Sequence, residues 1–316
     1  MIDIPILYWV LFNVFVLVLL GLDLFVFHRD AHEVKIKEAL LWSAFWIALS
    51  LCFNVLIYFW LGPDPALEFL TAYLIEKSLS VDNLFVFILI FSYFKVPLMY
   101  QHRVLFWGII GALVLRAIFI LVGVALISKF SFIIYILGAF LIYTGIKMAF
   151  SHGNDVNPDD NPLVKFASKH LRLTKKQKDG KFFVKQNGRM YATPLFLVLL
   201  MVESTDVVFA ADSIPAILAI SKDPFIVYTS NVFALLGLRA LYFALAGIMQ
   251  LFHYLHYGLS LILIFIGVKL LLSDYIHIDM RYALIAVGGI LAISIIASLL
   301  FPQKDDDMPP PPDFTA

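Results

Sequence analysis

Between Val202 and Ile217 the sequence reads VESTDVVFAADSIPAI, which sets Glu203, Asp206 and Asp212 in a run otherwise as apolar as a membrane-crossing helix. The stretch before it, TPLFLVLLM, carries no charge, and the next lysine downstream is Lys222. A carboxylate in hydrocarbon costs roughly 2.5–3.5 kcal/mol on insertion scales, so three in one segment require compensating partners. A second stretch, IEKSLSVDNLFVF from Ile75 to Phe87, has the same character, with Glu76 and Asp82. Two acid-bearing membrane segments in one chain point first to an ion site.

Composition agrees with a membrane setting. Of 316 residues, 62% are hydrophobic and only 15% charged, against about a quarter charged in an ordinary soluble domain. Mean hydropathy is +0.91. The chain is read as an all-α, polytopic membrane protein. A formal net charge of zero gives no field that would favour nucleic acid as a partner. The single cysteine, Cys52, excludes a disulfide framework and is expected to be a buried filler. The N-terminus has no basic n-region, so it reads as a retained first helix.

Apolar runs able to cross about 30 Å of hydrocarbon fall at roughly 6–27, 39–61, 66–94, 103–127, 131–150, 193–220, 227–251, 256–273 and 282–301. Nine helices are expected from them. They divide into N-terminal helices (1–62), a three-helix unit (66–150), a basic hydrophilic connector (151–192), a second three-helix unit (193–273), a last helix (274–301) and a Pro-rich tail (302–316) that should be disordered. Lys and Arg concentrate in the odd-numbered connections, which puts the N-terminus outside and the C-terminus in the cytoplasm. The connector is taken as a solvated cytoplasmic segment, although its lysines and arginines are suited to anionic headgroups.

The two units repeat each other. Ser80, Asp82 and Phe85 match Ser204, Asp206 and Phe209; LRAIF with Arg116 matches LRALYF with Arg239; Tyr135 and GIK match Tyr257 and GVK. An odd number of helices per unit forces the second to enter from the opposite face. This is the inverted repeat of alternating-access transporters, whose site lies near the midplane.

With about 100° per residue, Glu203 and Asp206 share a helix face, and Asp212 lies roughly opposite Glu203. Glu76 and Asn83 share a face in the first unit, while Asp82 diverges. Pro215 is expected to break its helix and turn Asp212 inward. Carboxylates and amide oxygens are hard ligands suited to Mn²⁺, Mg²⁺ or Ca²⁺. The bland alternative is that the acids pair with intramembrane bases, Arg116, Arg239 and Lys77. Two arginines cannot neutralise five carboxylates, so a cation site built from Glu76, Asp82, Asn83, Glu203, Asp206 and Asp212 is favoured, with Arg116 and Arg239 as charge partners or gates. Lys147 and Lys269 are expected to snorkel to the interface. Asp23 reads as a helix-end acid or a further polar contact. His253 and His256 are given no ligand role.

TAYLIEKSLSVDNLFVF, ATPLFLVLLMVESTDVVFAADSIPAI, DPFIVYTSNVFALLGLRALYF, GIKM and GVKL together resemble the TerC family of integral membrane proteins, and within it the Alx-type manganese exporters. The similarity runs from about residue 40 to 273. It implies export of Mn²⁺ from the cytoplasm across a bacterial inner membrane, with intramembrane acids required; these map to Glu76, Asp82, Glu203, Asp206 and Asp212. Mn²⁺ is then the transported substrate, with no covalently bound cofactor. Five carboxylates in a low-dielectric cavity repel one another and are expected to hold protons that an arriving cation displaces, which gives a route to coupling. Rival readings are an exchanger for Ca²⁺ or Mg²⁺ and a membrane-protein assembly factor. No HExxH, G-x-S-x-G or P-loop pattern is present, so an enzyme is not expected.

Overall fold

A computed structural model describes residues 4–22, 36–130, 132–150, 164–165, 169–174, 180–186, 189–246, 254–273, 275–276 and 278–300. Asp23, His253 and the 302–316 tail lie outside these residues, as does most of the connector. Ten helices and one small sheet are described: α1 (Ile6–Leu22), α2 (Ile36–Leu61), α3 (Pro63–Tyr93), α4 (Leu98–Lys129), α5 (Ile133–Phe150), β1 (Phe183–Gln186), β2 (Arg189–Ala192), α6 (Pro194–Leu218), α7 (Pro224–Leu236), α8 (Leu238–Ala246), α9 (Leu255–Leu271) and α10 (Met280–Leu300).

Local chemistry sets the boundaries. Proline opens α3, α6 and α7, where its missing N–H costs nothing and its φ is already helical. Gly62, at φ 102°, makes the tight reversal between α2 and α3, in a left-handed region that side chains avoid. Asp223 caps α7 by accepting from the backbone N–H of Phe225 and Ile226 at 3.0 and 3.3 Å. Ser221 donates to Glu68 at 2.5 Å and so ties the α6–α7 turn to α3.

Among the described residues each expected apolar run is largely helical, but length and composition do not confirm nine spans there. Among the described residues five helices (α2, α4, α5, α6 and α10) are long and apolar enough to cross a membrane, or six if α7 and α8 form one bent span. Helices α1 and α9 are also apolar, with 17 residues of each among those described. The break in the second unit is not at Pro215. Helix α6 runs through that proline to Leu218, close enough to its C-terminus that few hydrogen bonds are lost. The break lies at Gly237, where the axis turns by 42° between α7 and α8. Lys77 of α3 donates to the carbonyl of Ala234 at 3.1 Å and so satisfies one of the backbone oxygens that the end of α7 leaves without an intrahelical donor.

Packing places the acids between two apolar clusters. One gathers Phe12, Trp46, Phe69, Phe87, Val202 and Phe233; the other gathers Ile75, Leu141, Ile214, Leu259 and Ile262. Helix α3 packs on α7, α4 on α6, and α5 on α9. That pattern is unchanged when α3–α5 and α6–α9 exchange places. The α5–α9 crossing depends on small residues: a Cβ on Gly267 would meet the Gly138 carbonyl at 2.7 Å, and one on Gly145 the Ser260 carbonyl at 2.8 Å. Shifting Gly138 and Gly145 by the offset between Tyr135 and Tyr257 gives Ser260 and Gly267, so the crossing makes the same contact twice.

Two further expectations change. Cys52 is exposed on α2 instead of buried, on a helix whose outer face also exposes Leu41 and Phe59. The connector also contains regular structure. Strands β1 and β2 pair antiparallel, Phe183 opposite Ala192 and Lys185 opposite Met190. The signal was present in the sequence as Asn187-Gly188 between two short runs, the commonest hairpin dipeptide.

Candidate cation site within the membrane

The acids fall into two groups. Arg116, on α4 and 1% exposed, organises the first. Its Nη2 and Nε donate to the two carboxylate oxygens of Asp206 at 2.9 and 3.3 Å, and its Nη1 pairs with Glu76 Oε1. Ser213 and Asn231 accept more distantly, each at 3.5 Å from Nη1. Glu76 is fully buried on α3 and Asp206 is 3% exposed on α6. Among the described residues the second oxygen of Glu76, Oε2, has no hydrogen-bond partner, nor does Asn231 Nδ2. Glu203 lies one turn from Asp206 and is within its field. It fits there because α4 carries Gly111, where a Cβ would collide with the Glu203 carboxylate.

The second group lines a cavity of about 170 Å³ that contains Asp82, Asn83, Thr144, Lys147, Asp212 and His256. Asp82 Oδ1 lies 3.7 Å from His256 Nδ1, and the other ring nitrogen of His256 meets the Met148 carbonyl. Asp212 takes a hydrogen bond from Thr144 and feels the Lys147 ammonium.

The single cluster of five carboxylates expected from the sequence is therefore not the arrangement found. Among the described residues no three His, Cys, Asp or Glu side chains converge closely enough to hold a metal ion. The reason is helical phase. Since α6 stays helical through Pro215, Asp212 remains on the face away from Glu203 and meets α5 and α9, while Asp206 meets α4. Arg239 is buried in the first turn of α8, just beyond the Gly237 break. Lys147 lines the cavity at an exposed position near the end of α5. Lys269 is half-buried within the field of Glu68, an acid the sequence reading did not assign. His256 reads as a turn residue in the sequence, and only the fold brings it to Asp82.

Charge balance determines what the first group can do. One guanidinium faces two carboxylates, with a third acid adjacent and Lys77 committed to a carbonyl. Removing one partner from such a buried pair is strongly unfavourable, and the uncompensated carboxyl must hold a proton or a cation. The orphaned Glu76 Oε2 is where that deficit is most local.

Comparison with known proteins follows the same lines. Over 305 residues the chain is 49% identical to "Uncharacterized membrane protein STKORF319" of Myxococcus xanthus, covering 95% of this chain and 96% of that one. Over 307 residues it is 51% identical to "Putative membrane-bound redox modulator Alx" of Escherichia coli (strain K12), covering 94% and 96%. The protein of that name from Salmonella typhi is 49% identical over 297 residues, covering 91% and 92%. No solved structure matches. The family model of integral membrane protein TerC matches residues 61–306, and the chain belongs to that family.

Proposed function

We propose that this protein is a secondary transporter that exports Mn²⁺ from the cytoplasm by alternating access, with Glu76, Asp206 and Glu203 at midplane and Asp82, Asn83 and Asp212 in the adjoining cavity as its oxygen ligands. The observation that carries the proposal is the excess of carboxylate over base around Arg116, with Glu76 Oε2 left without a partner. A structural ion pair needs one acid for one base, and a buried surplus of acid is costly unless something cationic arrives.

In this mechanism Arg116 pairs with Glu76 and Asp206 whenever no cation is bound between them. The guanidinium serves as a built-in counter-ion and a proton covers the remaining negative charge. Arrival of Mn²⁺ displaces the proton and loosens the hold of Arg116 on one carboxylate. The same step reversed on the far side returns the protons, which gives exchange of metal for H⁺. The exchange-invariant packing of the two three-helix units supports rocking of one against the other. Mg²⁺ sheds water reluctantly and requires a tight octahedron, which favours Mn²⁺ where dehydration is needed. The name of the E. coli relative contains "redox modulator". Of the three hard divalent ions, only manganese has readily accessible oxidation states, so moving it would alter redox balance without redox chemistry in the protein itself.

The test is Mn²⁺ binding to purified protein, read by loss of the six-line spin-resonance signal of the free ion. Wild type should bind, and Asp206→Asn and Asp82→Asn should lose binding while still inserting and remaining monodisperse. Asn variants that bind as wild type does would remove these residues from the ion path.

A further inference from the structure

Neither the ion site nor the proposed transport accounts for the connector hairpin. From Leu163 to Thr193 the chain carries nine Lys or Arg residues and a single acid, Asp179. The hairpin within this stretch is seated on the ends of two helices. Thr193, just before α6, donates from its N–H to the Phe182 carbonyl at 2.9 Å and from Oγ1 to the Lys181 carbonyl at 2.7 Å. Phe183 lies 4.5 Å, centroid to centroid, from Phe196 in the first turn of α6. Arg103 of α4 sits over the Phe182 ring at 5.7 Å. Gly180, at φ 65°, closes on the Tyr100 ring so tightly that a Cβ would stand 2.7 Å from it. The hairpin is thus fixed at the level where α4 and α6 begin.

Strand register then decides what it presents. Phe183, Lys185 and Met190 share one face. Phe183 is 43% and Met190 63% exposed, and Lys181 and Lys185 are exposed near them, with Arg189 exposed on the other face at the turn end. Large apolar side chains interleaved with cations, held at the end of membrane helices, match the region where lipid phosphates overlie the first methylenes.

We propose that this hairpin is a binding surface for anionic phospholipid headgroups, with Phe183 and Met190 in the interface and Lys181, Lys185 and Arg189 on the phosphates. The Lys/Arg count assigns it to the cytoplasmic leaflet, where anionic lipid is available. A nucleic acid would meet the same charges, but the pairing of Phe183 with Phe196 places the apolar half of the surface at the mouth of the membrane helices.

The experiment uses the full chain and phosphatidylglycerol against phosphatidylcholine. Native mass spectrometry of detergent-purified protein counts the lipids retained. Wild type should retain phosphatidylglycerol in preference, and Lys181→Gln/Lys185→Gln/Arg189→Gln should lose that preference by about fivefold per charge removed. A second readout does not depend on the triple variant folding. Met190→Cys in a Cys52→Ser background, labelled with a polarity-sensitive dye in nanodiscs, should be quenched by a lipid spin label near the headgroup and shielded from iodide, more so with phosphatidylglycerol. Equal retention of the two lipids by wild type, or a dye equally open to iodide in both discs, overturns the proposal. So does displacement of the bound lipid by polyadenylate at charge-matched concentration, which would mark a nucleic-acid surface.

Discussion

The Lys77 ammonium lies 3.1 Å from the carbonyl oxygen of Ala234, three residues before the helix axis turns at Gly237. A lysine beside a buried glutamate invites pairing with that acid, yet this one stabilises a broken helix on the opposite unit and leaves Glu76 to Arg116. Lys77→Met should strand the carbonyl and lower stability by about 1–3 kcal/mol. Lys147→Met, at an exposed position, should cost less. Thermal unfolding in detergent compares the two, and equal mild losses would show that the break does not depend on Lys77.

Arg116 provides a sharper electrostatic test. Arg116→Met leaves Glu76 and Asp206 buried without their shared counter-ion and should destabilise by about 3–5 kcal/mol. Adding Glu76→Gln and Asp206→Asn to the same chain should recover most of that loss, because the charges that needed the guanidinium are gone. If the triple variant is no more stable than the single one, Arg116 contributes packing more than charge.

Two glycines separate site from scaffold. The atoms nearest a Cβ at Gly111 are the end of the flexible Glu203 side chain, whereas one at Gly145 meets the Ser260 backbone carbonyl at 2.8 Å. Gly111→Ala should therefore leave unfolding nearly unchanged and weaken Mn²⁺ binding by displacing Glu203. Gly145→Ala should destabilise by about 1–3 kcal/mol, and Gly267→Ala by a similar amount, since the two positions make equivalent contacts. Unfolding and binding measured on all three variants decide the matter.

Orientation is tested by accessibility. Single cysteines at Lys129 and Lys185 in a Cys52→Ser background should label from opposite faces of the membrane, Lys129 from outside. Labelling of both from one face would contradict the inverted arrangement of the two units.

The positions of the helices were legible because nine apolar runs stand apart from their connections, and the acids were conspicuous for what they cost in hydrocarbon. Their grouping was harder to read. Proline is the stronger breaker in isolation, but Pro215 lies so near the end of α6 that the helix absorbs it, while Gly237, a residue helices tolerate, marks the bend. Asp82 meeting His256, and Arg116 pairing with Glu76, depend on helix phase across three elements, α3, α4 and α9. No local pattern carries that information. The hairpin is a different case, since Asn187-Gly188 was a readable turn signal outweighed by the charge around it.

Protonic competition follows from the surplus of carboxylate. Carboxyls that hold protons when empty must release them to bind a divalent cation, so raising pH from about 5.5 to 8 should strengthen Mn²⁺ binding until the displaced protons are already gone. Titration calorimetry in buffers of different ionisation enthalpy should register proton release on binding. Affinity that is flat across this range would mean the site is fully ionised when empty.

The central claim is tested most directly by Mn²⁺ flux in sealed vesicles that contain only the purified protein, with a proton gradient imposed or collapsed. Wild type should move Mn²⁺ faster when protons run in the opposite direction. Asp206→Asn and Asp82→Asn should abolish the flux while still inserting. Flux by the Asn variants at the wild-type rate, or no wild-type flux under either gradient, would contradict the account.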